Sequence, residues 1–225
     1  DRQGRGNGVD IVNAEEYSLF EDDRFYPLSN NRETIQALLQ KRNLTNQQKI
    51  NILNTLRNNG VNILIDYMVL IWAASTNDTT VIEWFITIPG IDIEQLFNAV
   101  ALHSDVRILR HLYNRLPNAR PGVTQDGFMS VVAADRLNIV RYLLEEQQRF
   151  VVEERNGRNA FNQAINNLNL EMLQLMYNRG IRGNVYRARD STRKWAISNP
   201  DNADTYNRIA TWAQGIIETD RYYNE

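Results

Sequence analysis

A two-helix pattern that recurs down the chain constrains its fold more than any other feature of the 225 residues. The second helices of the pattern read INILNTLRNNG from Ile50, TTVIEWFITIPG from Thr79, VRILRHLYNRL from Val106, LNIVRYLLEEQ from Leu137 and LEMLQLMYNRG from Leu170. Apolar residues fall three and four apart, as in Ile139, Val140, Leu143 and Leu144, so each segment carries one apolar stripe along a helical face. Such a stripe needs a neighbour to cover it. Before each lies a shorter, less polar segment with compact residues where two helices must approach: Ala73 and Ala74, Val100 and Ala101, Val131 and Val132, Ala164 and Ile165. Successive starts are 27 residues apart from Thr79 to Val106, 31 from Val106 to Leu137 and 33 from Leu137 to Leu170. Unequal periods predict a degenerate array.

Within that array the stretch Asn156 to Gly180, NGRNAFNQAINNLNLEMLQLMYNRG, resembles an ankyrin repeat. Asn156, Gly157 and Arg158 match the turn of the family pattern, Phe161 and Ala164 its inner-helix packing positions, and Leu170, Met172 and Leu173 its outer helix. Gly180 stands where a left-handed C-cap is wanted. The family's Thr-Pro-Leu-His is replaced by Asn159, Ala160, Phe161 and Asn162, and no repeat carries the Thr-Pro pair. The resemblance runs unevenly from residue 45 to residue 215. It implies an all-α fold, an ankyrin-like helical-repeat solenoid with atypical capping units. A HEAT-like array or a single helical bundle is the alternative that the apolar pairs leave open.

A repeat array exposes its core at both ends, so its terminal units must differ from the rest. The expected organisation is an extension over 1–30 and a repeat domain over 31–220, divided into a cap at 31–60, repeats over about 61–190 and a C-terminal cap at 191–220. The second cap contains STRKWAISNP and ADTYNRIATWAQGIIETDRYY, separated by Asn199 and Pro200, with Trp195 and Trp212 expected to plug the core. The extension places Tyr17, Leu19, Phe20, Phe25 and Tyr26 among acidic residues and is expected to dock on the first unit.

Composition narrows the chemistry. There is no cysteine, which excludes disulfides, thiolate zinc sites and a cysteine nucleophile. Net charge is −2, too close to zero for a whole-chain pull toward nucleic acid or anionic lipid. No run approaches a membrane span, and DRQGRGNGVD has no hydrophobic signal core, so the default compartment is the cytosol. Only Lys41, Lys49 and Lys194 of the 25 basic residues are lysine, a bias that fits either avoidance of lysine modification or codon usage. His103 and His111 have no ligand-spaced acidic cluster beside them. Glu145 and Glu146, or Glu153 and Glu154, are adjacent and diverge on a helix. GRGNG lacks the strand and the Lys-Ser/Thr of a phosphate loop. The expectation is a chain without catalytic residues, metal or cofactor. The most uneven charge feature is Arg179 to Lys194, read as a loop, where Arg182, Arg187, Arg189 and Arg193 face one acid, Asp190, around Tyr186.

The resemblance implies binding of another, heterotypic protein on the concave side, formed by inner helices and turn tips. Carried over, the contact positions are Gln95, Asn98, Gln125, Asp126, Met129, Arg155, Arg158, Asn159, Asn162, Tyr186, Arg187 and Arg189, with Arg158 and Tyr186 as anchors. Lys-poor, Asn-rich degenerate arrays are similar to those by which intracellular pathogens and large DNA viruses engage host proteins, which implies an effector in the host cytosol. The alternatives are a substrate-recruiting component of a ubiquitin ligase assembly and a nucleic-acid or anionic-ligand binder using the 179–194 stretch.

Overall fold

The computed structural model describes residues 31–64, 67–119, 122–148 and 150–224. The extension 1–30, including its expected docking, lies outside them. Every regular element among the described residues is helical. The helices come in pairs: α1 (Asn31–Gln40) and α2 (Asn46–Asn58), α3 (Tyr67–Ser75) and α4 (Thr79–Ile86), α5 (Ile93–His103) and α6 (Val106–Arg115), α7 (Gln125–Ala133) and α8 (Leu137–Arg141), α9 (Glu154–Asn166) and α10 (Leu170–Asn178), α11 (Val185–Ser198) and α12 (Ala203–Thr219). A short α13 (Arg221–Asn224) ends the described chain. Four of the five outer helices start at the residue the stripe pattern predicts. The other, α2, starts earlier because Thr45 forms a capping box with Gln48.

The chain forms two compact units, Asp1–Gly122 and Val123–Glu225, so the boundary falls inside the stretch read as continuous repeats. In the first unit the inner helices α1, α3 and α5 pack in one row and the outer helices α2, α4 and α6 in a second. Ala73, Ala74, Val100 and Ala101 are fully buried, which lets the inner helices approach closely. Helix starts are well capped: Asp78 accepts from the Thr80 N–H at 2.8 Å, Asp92 from Gln95 at 3.0 Å and Asp105 from Ile108 at 3.2 Å. Lys49 is buried and its ammonium donates to the Leu39 carbonyl at 2.8 Å, supplying the end of α1 with a donor. Burial pushes its pKa below the ordinary lysine value.

In the second unit α7 packs on α9 and α8 on α10, over fully buried Val131, Val132, Ala164 and Ile165. Three expectations are corrected. First, α8 does not continue as an α-helix: Tyr142–Glu146 winds as a π-type turn, with the Gln147 N–H reaching the Tyr142 carbonyl at 3.2 Å. One extra residue in the turn rotates the succeeding side chains by about 100° around the helix axis. Tyr142 and Leu143 are therefore buried while Leu144, expected in the stripe, is half-exposed.

Second, Asn156, Gly157 and Arg158 are not a turn but lie within the first turns of α9. Gly157 serves close approach, since a β-carbon there would sit 3.0 Å from Ile181 Cγ2. Third, the arginine-rich stretch is mostly helix, with only 181–184 outside α10, its cap and α11. Helix α11 buries Val185, Ala188 and Thr192, compact residues that leave almost no apolar stripe in the sequence. The last pair accordingly begins at Val185, six residues before the expected cap at 191.

The C-cap of α10 is as expected. Gly180 takes φ +81°, with Gly180 N–H bonded to the Tyr177 carbonyl and Ile181 N–H to that of Met176, both at 3.0 Å. Trp212 lies 6.3 Å from the Phe161 ring and 6.0 Å from that of Tyr177, tying α12 to the preceding pair. Trp195 is half-buried beside Tyr206.

Candidate functional site

The end of each unit where inner helices turn into outer ones is closed by hydrogen bonds between successive pairs. The Asn46 amide donates to Asp78 at 3.2 Å, Asn77 accepts from the Asp105 N–H at 2.8 Å, and the Asn169 amide donates to Asp135 at 2.8 Å. Inner-helix carbonyls are met from the next pair in the same way, Ala74 by the Ser104 hydroxyl at 2.6 Å and Val132 by the Asn167 amide at 2.8 Å. These contacts span 28 to 35 residues, from one helix pair to the next, and give the abundant asparagine a structural task. Burial pushes the Asp78 carboxyl up, but hydrogen bonds from Thr80, Asn46 and Val81 outweigh it and hold it below the ordinary range. Sequence reasoning missed this ladder; Asn and Asp recurring before each outer helix were its signal.

The outer rows are tied as well. In the first unit His111 Nε2 lies 2.7 Å from Glu83, which also accepts from Arg115 at 3.0 Å. Burial raises the Glu83 carboxyl, but the bonds from Arg115 and His111 dominate and lower it. In the second unit Arg179 pairs with Glu145 at 3.1 Å, and Arg141 pairs with Glu171. These ion pairs are exposed or half-exposed and each contributes about 1 kcal/mol or less.

The expected contact residues lie on inner-row helices and α11. Gln95 is exposed and Asn98 half-buried on α5, in the first unit. In the second unit α7 carries Gln125, Asp126 and Met129, and α9 carries Arg155, Arg158, Asn159 and Asn162 along one face. Helix α11 carries Tyr186, Arg187 and Arg189.

Several of these side chains are committed internally. Gln125 donates to the Val151 carbonyl at 2.7 Å and accepts from the Glu153 N–H at 3.1 Å, clamping the loop before α9. Arg158 pairs with Glu154 one turn back. Tyr186 donates to the Tyr223 carbonyl, and Arg189 bonds Asp190 at 2.6 Å while lying over the Tyr186 ring. Asn162 Oδ1 is shielded and has no hydrogen-bond partner among the described residues. By contrast Asp126, Arg155, Asn159 and Arg187 are exposed, and their side chains make no hydrogen bond or ion pair among the described residues.

Two arginines of the expected cationic loop line a groove of about 610 Å3 instead. Arg179 and Arg182 form one wall, Val151, Glu153 and Glu154 another, and Tyr222 part of the rim. Arg182 donates to the Tyr177 carbonyl at 2.8 Å and stands 3.8 Å from Asp220, so each guanidinium already has a partner within the unit. Among the described residues no group of three or more His, Asp or Glu converges on a metal position, and no helix is long and apolar enough to cross a membrane. No protein-family model, curated protein or solved structure matches the chain.

Proposed function

We propose that the chain is a protein-interaction module, a degenerate ankyrin-like solenoid whose inner helices present the binding face. Paired helices in two rows and hydrogen bonds repeating at the helix-pair period support the repeat reading. One observation carries the functional part. Where inner helices turn into outer ones, polar side chains are engaged by neighbouring pairs, whereas Asp126, Arg155 and Asn159 on α7 and α9 are exposed and uncommitted. Fixed helices lose little backbone order on binding, and these side chains break no internal bond to reach a partner, which favours recognition.

The test is site-specific photo-crosslinking in cell extract, with the photoreactive side chain at Asn159 on α9 or at Asn138 on α8, both exposed. A discrete protein adduct is expected from position 159, absent from position 138 and abolished by Arg155→Glu. Adducts of equal yield from both positions, or none from 159, would end this reading.

A further inference from the structure

The charges of the second unit are sorted by row. Helices α7, α9 and α11 together carry six cations and three anions, Asp126, Glu154 and Asp190. The α8 segment through Glu146, α10 and α12 carry two cations, Arg141 and Arg208, against five anions, Glu145, Glu146, Glu171, Asp204 and Glu218. The two cationic helices, α9 and α11, begin close together. Linker 181–184 runs along the start of α9, where β-carbons at Gly157 and Gly183 would meet Ile181 and Phe161, and it leads directly into α11. Arg155 and Arg158 share one face of α9; Arg187 and Lys194, seven residues apart, share one face of α11.

Helix stability does not explain this placement. Arg155 is the second residue of α9 and Arg187 the third of α11, and the helix dipole favours acids there and cations at the opposite terminus. Nor do internal ion pairs explain it, because Arg155, Arg187 and Lys194 have exposed side chains without a partner among the described residues.

We propose that this face receives an acidic segment of a partner protein, Glu- or Asp-rich, whose carboxylates the guanidinium groups hold in paired hydrogen bonds. The proposal rests on the interaction-module reading and names its partner class. Nucleic acid fits less well. Single-strand binding stacks bases on open rings, and of the two rings on α11 Trp195 is half-buried while Tyr186, 42% exposed, has Arg189 lying over its ring and its hydroxyl bonded to the Tyr223 backbone.

The probes are a fluorescein-labelled glutamate-rich peptide, the same peptide with glutamine for glutamate, and a single-stranded oligouridylate of matched length. Expected are binding of the glutamate peptide alone, weakening as salt rises, and a loss of about tenfold or more in the double variant R155E/R187E. Circular dichroism checks that the variant is folded, and Arg208→Glu, an exposed charge reversal on α12, should leave binding intact. Equal binding of the glutamine peptide, indifference to R155E/R187E, or tighter binding of the oligouridylate through the same arginines overturns the proposal. The two readings fail separately: an adduct at position 159 without glutamate-peptide binding removes the acidic class alone, whereas no adduct removes the module.

Discussion

The two units solve the same packing problem with different care for local rules. In the first, α2, α4, α5 and α6 each start on a Thr or Asp whose side chain accepts a backbone N–H, and the left-handed turn residue is Asn77. In the second, Thr124, Asn169 and Asn184 cap α7, α10 and α11 in the same way, but α8, α9 and α12 start on Arg136, Glu153 and Asn202 without a side-chain cap bond. A leucine, Leu168, occupies a left-handed turn, a π-type turn interrupts α8, and cations stand in the first turns of α9 and α11. Natural sequences break local rules mainly where function or strain demands it. The difference therefore directs the search for function to the second unit, which holds every expected contact position except Gln95 and Asn98.

The comparison breaks most visibly in the core, where the units should be alike. Phe97 and Phe161 are both fully buried, the first 4.7 Å from Tyr113 and the second stacked on Trp212. Phe97→Ala and Phe161→Ala should each cost about 3–5 kcal/mol in urea unfolding. A much smaller loss for Phe161→Ala would mean that the last helix pair does not seal the second unit as the Trp212 contact implies.

That core was legible in the sequence because it rests on periodicity. Four of the five outer-helix starts and the buried Ala73, Ala74, Val131 and Ala164 follow from apolar spacing and small size alone. The illegible parts depend on tertiary detail. The π-type turn moves Leu144 out of the stripe, and no local composition announces it. Helix α11 escaped because its buried face is Val185, Ala188 and Thr192, too small to stand out among arginines. Gly157 looked like turn chemistry when its use is the approach of Ile181. Of the candidate site, only the placement of some of its residues on helices was legible; which of them are committed internally, such as Gln125 and Tyr186, emerges only from contacts across 26 and 37 residues.

The turn residues sharpen the comparison at a smaller scale. Leu168 at φ +56° carries the left-handed penalty that Asn77 at φ +51° largely escapes. Leu168→Asn should therefore stabilise the protein by about 1 kcal/mol, read as a raised unfolding midpoint at unchanged urea dependence. Destabilisation instead would show that the half-buried leucine contributes more through packing than its backbone costs.

The second unit should also weaken on the alkaline side. Burial pushes the Tyr223 phenol up to about 12, and its hydroxyl donates to the Gly183 carbonyl at 2.9 Å, holding α13 over the start of α11. A pKa raised on folding gives stability that is complete below pH ~10, where the unfolded phenol ionises, and is lost as pH rises toward 12. Because Tyr223 is largely solvent-screened, the loss should stay within about 1 kcal/mol. The urea midpoint should fall across that window, and Tyr223→Phe should reduce the fall, the remainder belonging to Tyr177, whose phenol is also raised by burial and by its bond to Asp220. A fall of unchanged size in that variant would take Tyr223 out of the account.

The smallest effect tests the cationic face most directly, through two matched positions. Glu94 is the second residue of α5 and Arg155 the second residue of α9. The dipole favours the first and opposes the second by about 0.3–1 kcal/mol. Glu94→Arg should therefore destabilise the protein by a few tenths of a kcal/mol, and Arg155→Glu should stabilise it by a similar amount. Repulsion from Glu153 and Glu154 trims that gain, while Arg158 three residues on offsets the repulsion. The opposite signs are decisive. If Arg155→Glu raises the melting temperature and at the same time abolishes capture of the glutamate peptide, the arginine is kept against the helix's own preference and its use lies outside the fold. If it lowers the melting temperature, Arg155 supports the second unit after all, and the contrast between the units loses its functional meaning.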